Sequence, residues 1–439
     1  MAIPRGLVSQ DMIKQMEGIR SVRTNVLPAN SSGNYAFQAS GNNRVIFQIP
    51  AFANSFINQK RSYIKFTLAG SGKMISGCPV FRRMLLKNAR GQVLEDVNEY
   101  DYLCKIMDSF KTSSELRGQA YTHKKLTGLS KEVYDKASMK TAAGGKTIIH
   151  ELNSGLLGNT QEFMIPVSTM NASSGYAFQL ELFLNSDDKV VDSGSYTIQD
   201  VSYEIELLEV TDQLMMDLNN ELSQGQELPL PYRSYRAHTT SLTSSSSQKV
   251  NISESAVNLE GVMSVIKPVS HSQTTFTDAN VARAVDPYNT IGGKINLKND
   301  GTDVEESDKS VIKYSFRYGS QYFPTSPVEL VSDSVLALEN ALCVMDLKND
   351  LPVLTENIVT SAADQLVPRF EATDFIIAHS FRTSADNVKN GLNASSSGAP
   401  LELNLSFKGN MMNHEVLTFV QQQNTLYIQK DGGSSIITS

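Results

Sequence analysis

Two stretches of this 439-residue chain repeat one another at a distance of about half its length. Asn171-Ala172-Ser173-Ser174-Gly175 precedes one strand-like run, and Asn393-Ala394-Ser395-Ser396-Ser397-Gly398 precedes another. Apolar side chains follow the first glycine at Phe178, Leu180, Leu182 and Leu184, and the second at Leu401, Leu403, Leu405 and Phe407. The offsets are three, five, seven and nine residues in both cases, and the glycines stand 223 residues apart (398 minus 175). Period-two alternation marks strands with one buried face. Its recurrence at half-chain spacing predicts one β-rich unit built twice, which constrains the fold more than any local propensity.

The length suits two domains of ordinary size. Apolar residues make up 40% and charged residues 19%, a globular composition. The net charge of −7 gives no bulk attraction to nucleic acid phosphate, so no specific nucleic acid binding is expected. The basic groups Arg82, Arg83, Lys87 and Lys124, Lys125, Lys131 read as solvated surface. Cys78, Cys104 and Cys343 show no CxxC spacing, so neither a disulfide framework nor a zinc knuckle is expected. No apolar run approaches the roughly 18 residues that span a bilayer. The N-terminus lacks the apolar core of a signal peptide, and the expected compartment is the reducing, cytosolic side of membranes.

The first segment reads as an amphipathic arm, residues 1–24. Ser9 caps it, and Met12, Ile13, Met16 and Ile19 share one face. So short a helix must dock on something to be stable. A first β domain is expected over 25–211, with strands including 45–49, 63–68, 80–86, 147–152, 162–167, 176–184 and 195–210. A helix is expected from about Glu95, with Val97, Tyr100, Cys104 and Met107 on one face, and 111–146 as a polar surface excursion. A linker is placed at 212–232, where Gly225 to Pro231 resists both helix and sheet. The second β domain, 233–439, has a long loop at 268–309. Its helix starts from about Ser334, with Val335, Leu338, Leu342 and Met345 on one face, and its later strands include 370–381 and 401–407.

Catalytic signatures are weak. Gly144-Gly145-Lys146-Thr147 resembles the end of a phosphate loop, but Lys140 stands where the turn needs glycine. Ser62-x-x-Lys65 and Ser310-x-x-Lys313 have a serine–lysine hydrolase spacing, yet both lie in strand-like runs where residues three apart point to opposite faces. The six histidines form no pair at helical metal-binding spacing, and His379 reads as a structural histidine in a strand. The acidic stretch 303–308 departs from the EF-hand ligand order and reads as a solvated loop. No catalytic residue, cofactor site or metal site is assigned, and an enzyme is not expected.

The order of segments resembles the double jelly-roll major capsid proteins of the adenovirus hexon and tectivirus lineage, and most of all those of polinton-like viruses and virophages. In the first half the likeness rests on Val45 to Pro50, Tyr63 to Leu68, Leu94 to Tyr100, Leu152 to Gly158 and Tyr196 to Tyr203. In the second half it rests on Phe323 to Pro327 and Ala399 to Phe407. It covers roughly residues 35–430, leaving 111–146 and 268–309 unmatched. The resemblance implies two tandem eight-stranded jelly rolls with short helices in loops. It implies a homotrimer of pseudo-sixfold outline tiling the icosahedral shell of a DNA virus, located in the virion and meeting penton and minor capsid proteins, with either an internal membrane or a minor protein at the arm. It also implies that the Met12–Ile19 arm works in assembly. The other reading is a β-sandwich attachment protein that binds carbohydrate or a receptor through 268–309, where Phe276 and Tyr288 are the aromatics on offer.

Overall fold

In the first half, strand-forming runs follow one another with few interruptions: β1 (Arg20–Val26), β2 (Asn34–Ala36), β3 (Arg44–Pro50), β4 (Ser55–Gly70), β5 (Phe81–Asn88) and β6 (Val93–Asn98). Helix α1 (Tyr100–Lys111) comes next, then β7 (Lys146–His150), β8 (Tyr176–Leu184) and β9 (Tyr196–Glu209). A helix α2 (Asp212–Ser223) leads to the second half, which opens with β10 (Leu228–Ser241), β11 (Ser247–Ile252) and β12 (Leu259–Pro268). A small hairpin of β13 (Ile295–Leu297) and β14 (Val304–Glu306) precedes β15 (Val311–Tyr318), β16 (Gln321–Glu329) and α3 (Ser334–Val344). The chain ends with β17 (Asn357–Val359), β18 (Leu366–Pro368), α4 (Arg369–Ala372), β19 (Ile377–Ser380), β20 (Leu401–Phe407), β21 (His414–Ile428) and β22 (Ser434–Thr438). This is a computed structural model. It describes residues 19–30, 33–38, 43–70, 80–111, 146–158, 163–170, 175–191, 194–269, 288, 290–297, 304–345, 355, 357–359, 366–382, 391–395, 400–429 and 434–438.

The pairing order is the same in both halves. One sheet of the first half runs β1-β9-β4-β7, with β2 added on β9, and faces a second sheet, β3-β8-β5-β6. In the second half the orders are β10-β21-β12-β19, with β22 added on β21, and β11-β20-β15-β16. Setting aside the added strands and the two small hairpins, each half has eight strands among the described residues. Counted from the first, they are ordered 1-8-3-6 in one sheet and 2-7-4-5 in the other. That is the jelly roll, in which successive strands alternate between two packed antiparallel sheets except the fourth and fifth, which pair with each other in one sheet.

The sequence echo now has a place. β8 and β20 are both the seventh strand of their roll, each flanked by the second and fourth. Phe178, Leu180, Leu182 and Leu184 are buried, as are Leu401, Leu403, Leu405 and Phe407. Full burial of such side chains contributes roughly 1.5–3 kcal/mol each before conformational entropy is subtracted. On the outer face of β8, Glu181 lies between Arg44 of β3 and Lys87 of β5, at 2.6 Å from each. The sixth strands also correspond: His150 pairs with Ile64, and His379 with Val262, both on the third strand.

Several local expectations are revised. Val93–Asn98 is strand, and the first helix begins only at Tyr100, after Glu99 takes a left-handed φ of 51°. Residues 94–107 fit a helical period, but β6 is held by its pairing with β5. The stretch at 212–232 is largely regular. Thr211 caps α2 by accepting from Leu214 N, and Leu214, Met215, Leu218 and Leu222 form its buried stripe. Leu228 to Pro231 belongs to β10. Pro229 and Pro231 are tolerated because β10 is an edge strand, and two residues of equal parity turn their missing N–H groups to the same side. Residues 163–170 form an isolated bridge, Ile57 to Ile165, and a 3₁₀ turn rather than a strand. Residues 369–372 are the helix α4, leaving only Ile377–Ser380 as strand. Within 268–309, Val304–Glu306 of the acidic stretch pair with β13, and Tyr288 is 1% exposed. Residues 112–145 lie outside the described residues.

Candidate assembly surfaces and the seam between the rolls

The two rolls meet along α1. Every residue from Tyr100 to Phe110 is buried, although the helix carries Asp101, Lys105, Asp108 and Ser109. Asp101, Lys105 and Ser109 reach residues of the second roll with matching chemistry. Three clusters line up along the seam.

At the first, Lys267, at the end of β12, is completely buried. Its Nζ lies 2.7 Å from Glu99 Oε2 and 3.3 Å from Glu415 Oε1 of β21. The same ammonium stands 4.3 Å from the Tyr102 ring centroid, a cation–π contact. At the second, the Tyr288 hydroxyl donates to Asp101 Oδ2 at 2.9 Å, and the Asn185 amide donates to the same oxygen at 2.8 Å. The rings of Tyr288 and Tyr102 pack with centroids 4.9 Å apart. Burial raises the Asp101 carboxyl and the Tyr288 phenol above their ordinary ranges, so the phenol remains a donor.

The third cluster centres on Asp374. Arg369 Nε of α4 donates to Oδ2 at 2.7 Å, and the Thr373 hydroxyl donates to the same oxygen at 2.7 Å. From α1, the Ser109 hydroxyl donates to Oδ1 at 2.9 Å, and Lys105 Nζ stands 3.8 Å away. Burial alone would raise this carboxyl. The Arg369 and Lys105 cations, with the two hydroxyls, outweigh it and hold Asp374 well below the usual carboxylate range.

A fourth contact lies between β6 and β10. The Tyr232 hydroxyl donates to Leu94 O at 3.2 Å. The loop Leu152 to Gly158 is bound to Glu95: the Ser154 hydroxyl donates to Oε2 at 2.6 Å and Leu156 N to Oε1 at 2.8 Å. Gly155 of that loop lies against the Arg233 carbonyl of β10, so closely that a Cβ on it would sit 1.6 Å from that oxygen. Burial pushes Glu95 up to about 7, against the lowering effect of the Ser154, Leu156 and Gly155 donors.

The Glu95 shift sets a pH dependence. A carboxyl that titrates near 7 when folded and near 4.5 when unfolded binds its proton more tightly in the native state. Its effect on stability is favourable below about 4.5 relative to higher pH, and is lost as pH rises through 7. The expected loss is on the order of 3 kcal/mol. His379, which burial holds down at about 4, acts in the opposite sense between 6.5 and 4. Comparison of Glu95→Gln with the unaltered protein cancels that contribution. The variant should gain relative stability from pH 5 to about pH 7 and level off by pH 8 in denaturant titrations, whereas a constant difference across that range would contradict this origin of the shift.

The arm residues Met12, Ile13 and Met16 lie outside the described residues. Ile19 is half-buried and packs against the core immediately before β1. Tyr288, an aromatic offered for carbohydrate binding, is sealed in the seam, while Phe276 lies outside the described residues. In the acidic stretch, Glu306 pairs with Lys408 at 2.8 Å. Among the described residues no group of three or more His, Cys, Asp or Glu side chains is placed to hold a metal ion, and no helix is long and apolar enough to cross a membrane. Sequence reasoning missed Glu95, Lys267 and Asp374. A charged residue inside an apolar strand run was the available signal for Lys267, and Gly155 fell within a matched segment without a stated role.

No protein-family model and no curated protein sequence matches the chain. Solved structures do. PBCV-1 VP54, a crystal structure fitted into a cryo-EM reconstruction of the virophage Sputnik, is similar with a TM-score of 0.59 at 11% identity, covering 96% of this chain and 97% of that one. This chain has the double jelly-roll fold. A chain of the PBCV-1 virus capsid gives a TM-score of 0.57 at 11% identity, over 95% and 96% of the two chains. The Faustovirus major capsid protein gives 0.57 at 8% identity, over 94% and 91%. At such low identity the double jelly roll is shared as a fold, along nearly the whole length of each chain.

Proposed function

We propose that this protein is a structural capsid subunit. It forms a homotrimer of pseudo-sixfold outline, and the trimers tile an icosahedral virus shell. The observation that carries this reading is the tandem repetition of one strand order, locked across a polar buried seam, in a fold shared end to end with major capsid proteins. Two similar rolls in one subunit give six similar units in a trimer, which is a shape that fills a hexagonal lattice. The chemistry is geometry and weak contacts: the strongly shifted carboxyls found here are enclosed in the seam and hold the rolls together. No bond-making reaction is assigned to the chain. Trimerisation buries the larger, more apolar surface, and contacts between trimers are smaller and more polar.

The shell is the site of action, with penton and minor capsid proteins and an internal membrane as further partners. Met12, Ile13 and Met16 give the arm an apolar face that bridges capsomers or meets such a partner, while Ile19 packs on the core of its own chain. Electron microscopy of the concentrated, purified protein tests the reading. Hexagonal sheets or closed shells are expected, formed less readily when residues 1–18 are deleted. A dispersed monomer that binds glycans would instead favour an attachment protein, and shells that form equally well without the arm would remove its assembly role.

A further inference from the structure

Charge is balanced differently at the four contacts between the rolls. Lys267 lies between Glu99 and Glu415, and Asp374 between Arg369 and Lys105, so each buried charge meets an opposite one. Asp101 accepts from the Tyr288 hydroxyl and the Asn185 amide, and the Lys189 and Lys267 ammoniums act on it favourably through space. Glu95 has no such counterpart. It is 3% exposed, and it accepts from the Ser154 hydroxyl and from Leu156 N and Gly155 N, all of them neutral donors. Among the described residues no ion pair reaches its carboxyl.

The groups around Glu95 sharpen the imbalance. Leu86 of β5 lies opposite it on the sheet, and its neighbour Asp96 is paired with Arg83. β10 presents the Tyr232 and Tyr235 phenols, which burial holds above their ordinary range and so keeps uncharged. Beside those phenols stand Arg233 and Arg236 of β10, Glu260 of β12 and Arg382 beyond β19. The three arginines are engaged: Arg233 with Glu260 at 2.7 Å, Arg236 with Glu254 at 3.1 Å, and Arg382 with the Val344 carbonyl at 2.9 Å. An ionised carboxylate enclosed by neutral groups is strongly unfavourable, so the closed contact keeps the proton on Glu95.

We infer that Glu95 is a proton-held latch: while its carboxyl is neutral the loop 152–158 stays seated on β10, and loss of the proton admits water and parts the two, with each roll keeping its own sheets. β6 is tied to β5, and β10 to β21, by paired backbone, so neither strand leaves its sheet. Between the rolls at this point, the Tyr232 hydroxyl meets Leu94 O and Gly155 packs on the Arg233 carbonyl, and this is where water enters. The charge-balanced clusters along α1 are untouched by the change. The rolls therefore stay joined there, and the motion is a hinged opening. Acid closes the hinge and mildly alkaline medium opens it. The latch belongs to a single chain and stands whether or not that chain builds shells.

Hydrogen–deuterium exchange of the full-length protein at pH 6 and pH 8, with each rate divided by the intrinsic rate at that pH, tests the latch. A carboxyl at about 7 in the closed state and about 4.5 once hydrated makes the open state about tenfold more populated at pH 8 than at pH 6. Protection should fall by that factor at 152–158 and at the amides of β10 around Arg233, and stay unchanged in β8 and β20. Glu95→Gln, which keeps a neutral side chain of similar shape at every pH, should remove the difference, and Asp101→Asn should leave it in place. Equal protection at the two pH values in the unaltered protein would overturn the inference, whatever the variants do. So would a uniform loss that includes β8 and β20, since that is global destabilisation. A response that survives Glu95→Gln, or that disappears in Asp101→Asn, would take the latch away from Glu95.

Discussion

Asp374→Ala should destabilise the protein by about 3–5 kcal/mol, the largest loss expected from any single change in the seam. The substitution removes a carboxylate in contact with both the Arg369 and Lys105 side chains, which are 6% and 4% exposed. Two buried cations are then left without that countercharge, and the Ser109 and Thr373 hydroxyls lose an acceptor. The cost of breaking such a group exceeds what the intact group contributes, because isolated buried charge is so unfavourable. The triple replacement Lys105→Met/Arg369→Met/Asp374→Leu should therefore recover much of the loss. Denaturant titration of both variants decides the matter: equal instability would show that volume, and not the lost countercharge, governs the site. The sign with pH follows from the depressed carboxyl. Its contribution is present above the ordinary carboxylate value of 3.8 and is lost only as the medium becomes strongly acidic.

The second large effect is steric. Gly155→Ala would place a Cβ 1.6 Å from the Arg233 carbonyl oxygen, 2.6 Å from its carbon and 2.6 Å from Glu95 Oε1. Two of those three atoms are backbone of β10, a strand held along its length by β21, so neither can swing aside. The loop and β10 must separate, and with them the two rolls. We expect at least 3 kcal/mol of destabilisation, above the range of about 1–3 kcal/mol typical of overpacking by a few methylenes. Loss of a single cooperative transition should accompany it, each roll then unfolding on its own. Gly175, with nothing within 4 Å of a built Cβ but a φ of +77°, serves as the contrast. Gly175→Ala should cost only the strain of a left-handed residue, about 1 kcal/mol. Similar losses at the two positions would mean that the Gly155 contact is not what joins the rolls.

Much of the fold was legible because burial in a sheet is written locally. The alternation of Phe178 to Leu184 and of Leu401 to Phe407 sets which face is buried, and the shared offset from a glycine betrays the repeat. The helix following the fifth strand was legible in kind but misplaced in the first half, since Val97, Tyr100, Cys104 and Met107 satisfy a helical period while Val97 in fact lies in β6. In the second half the expected face included Val335, which is exposed, and omitted Ala337 and Ala341, which are buried. Alanine carries little hydrophobic signal, and its small size is what lets α3 approach the sheet.

The seam was not legible, for a physical reason. Lys267 and Glu99 are 168 residues apart, and Ser109 and Asp374 are 265 apart. Nothing near Asp374 in sequence distinguishes it from a surface carboxylate. Its role arises only when two separately folded sheets are laid side by side. Tyr288 shows the same limit: in a long polar segment it read as an aromatic free to bind a ligand, whereas its hydroxyl is buried against Asp101.

On the proposed reading this chain is a shell-building subunit with three copies in the working unit. Sedimentation equilibrium over a wide range of protein concentration reads that number from the solution mass. A species of three times the 48.2 kDa chain mass is expected, giving way to single chains only at the lowest concentrations. A protein that remains at the mass of one chain throughout would contradict that reading.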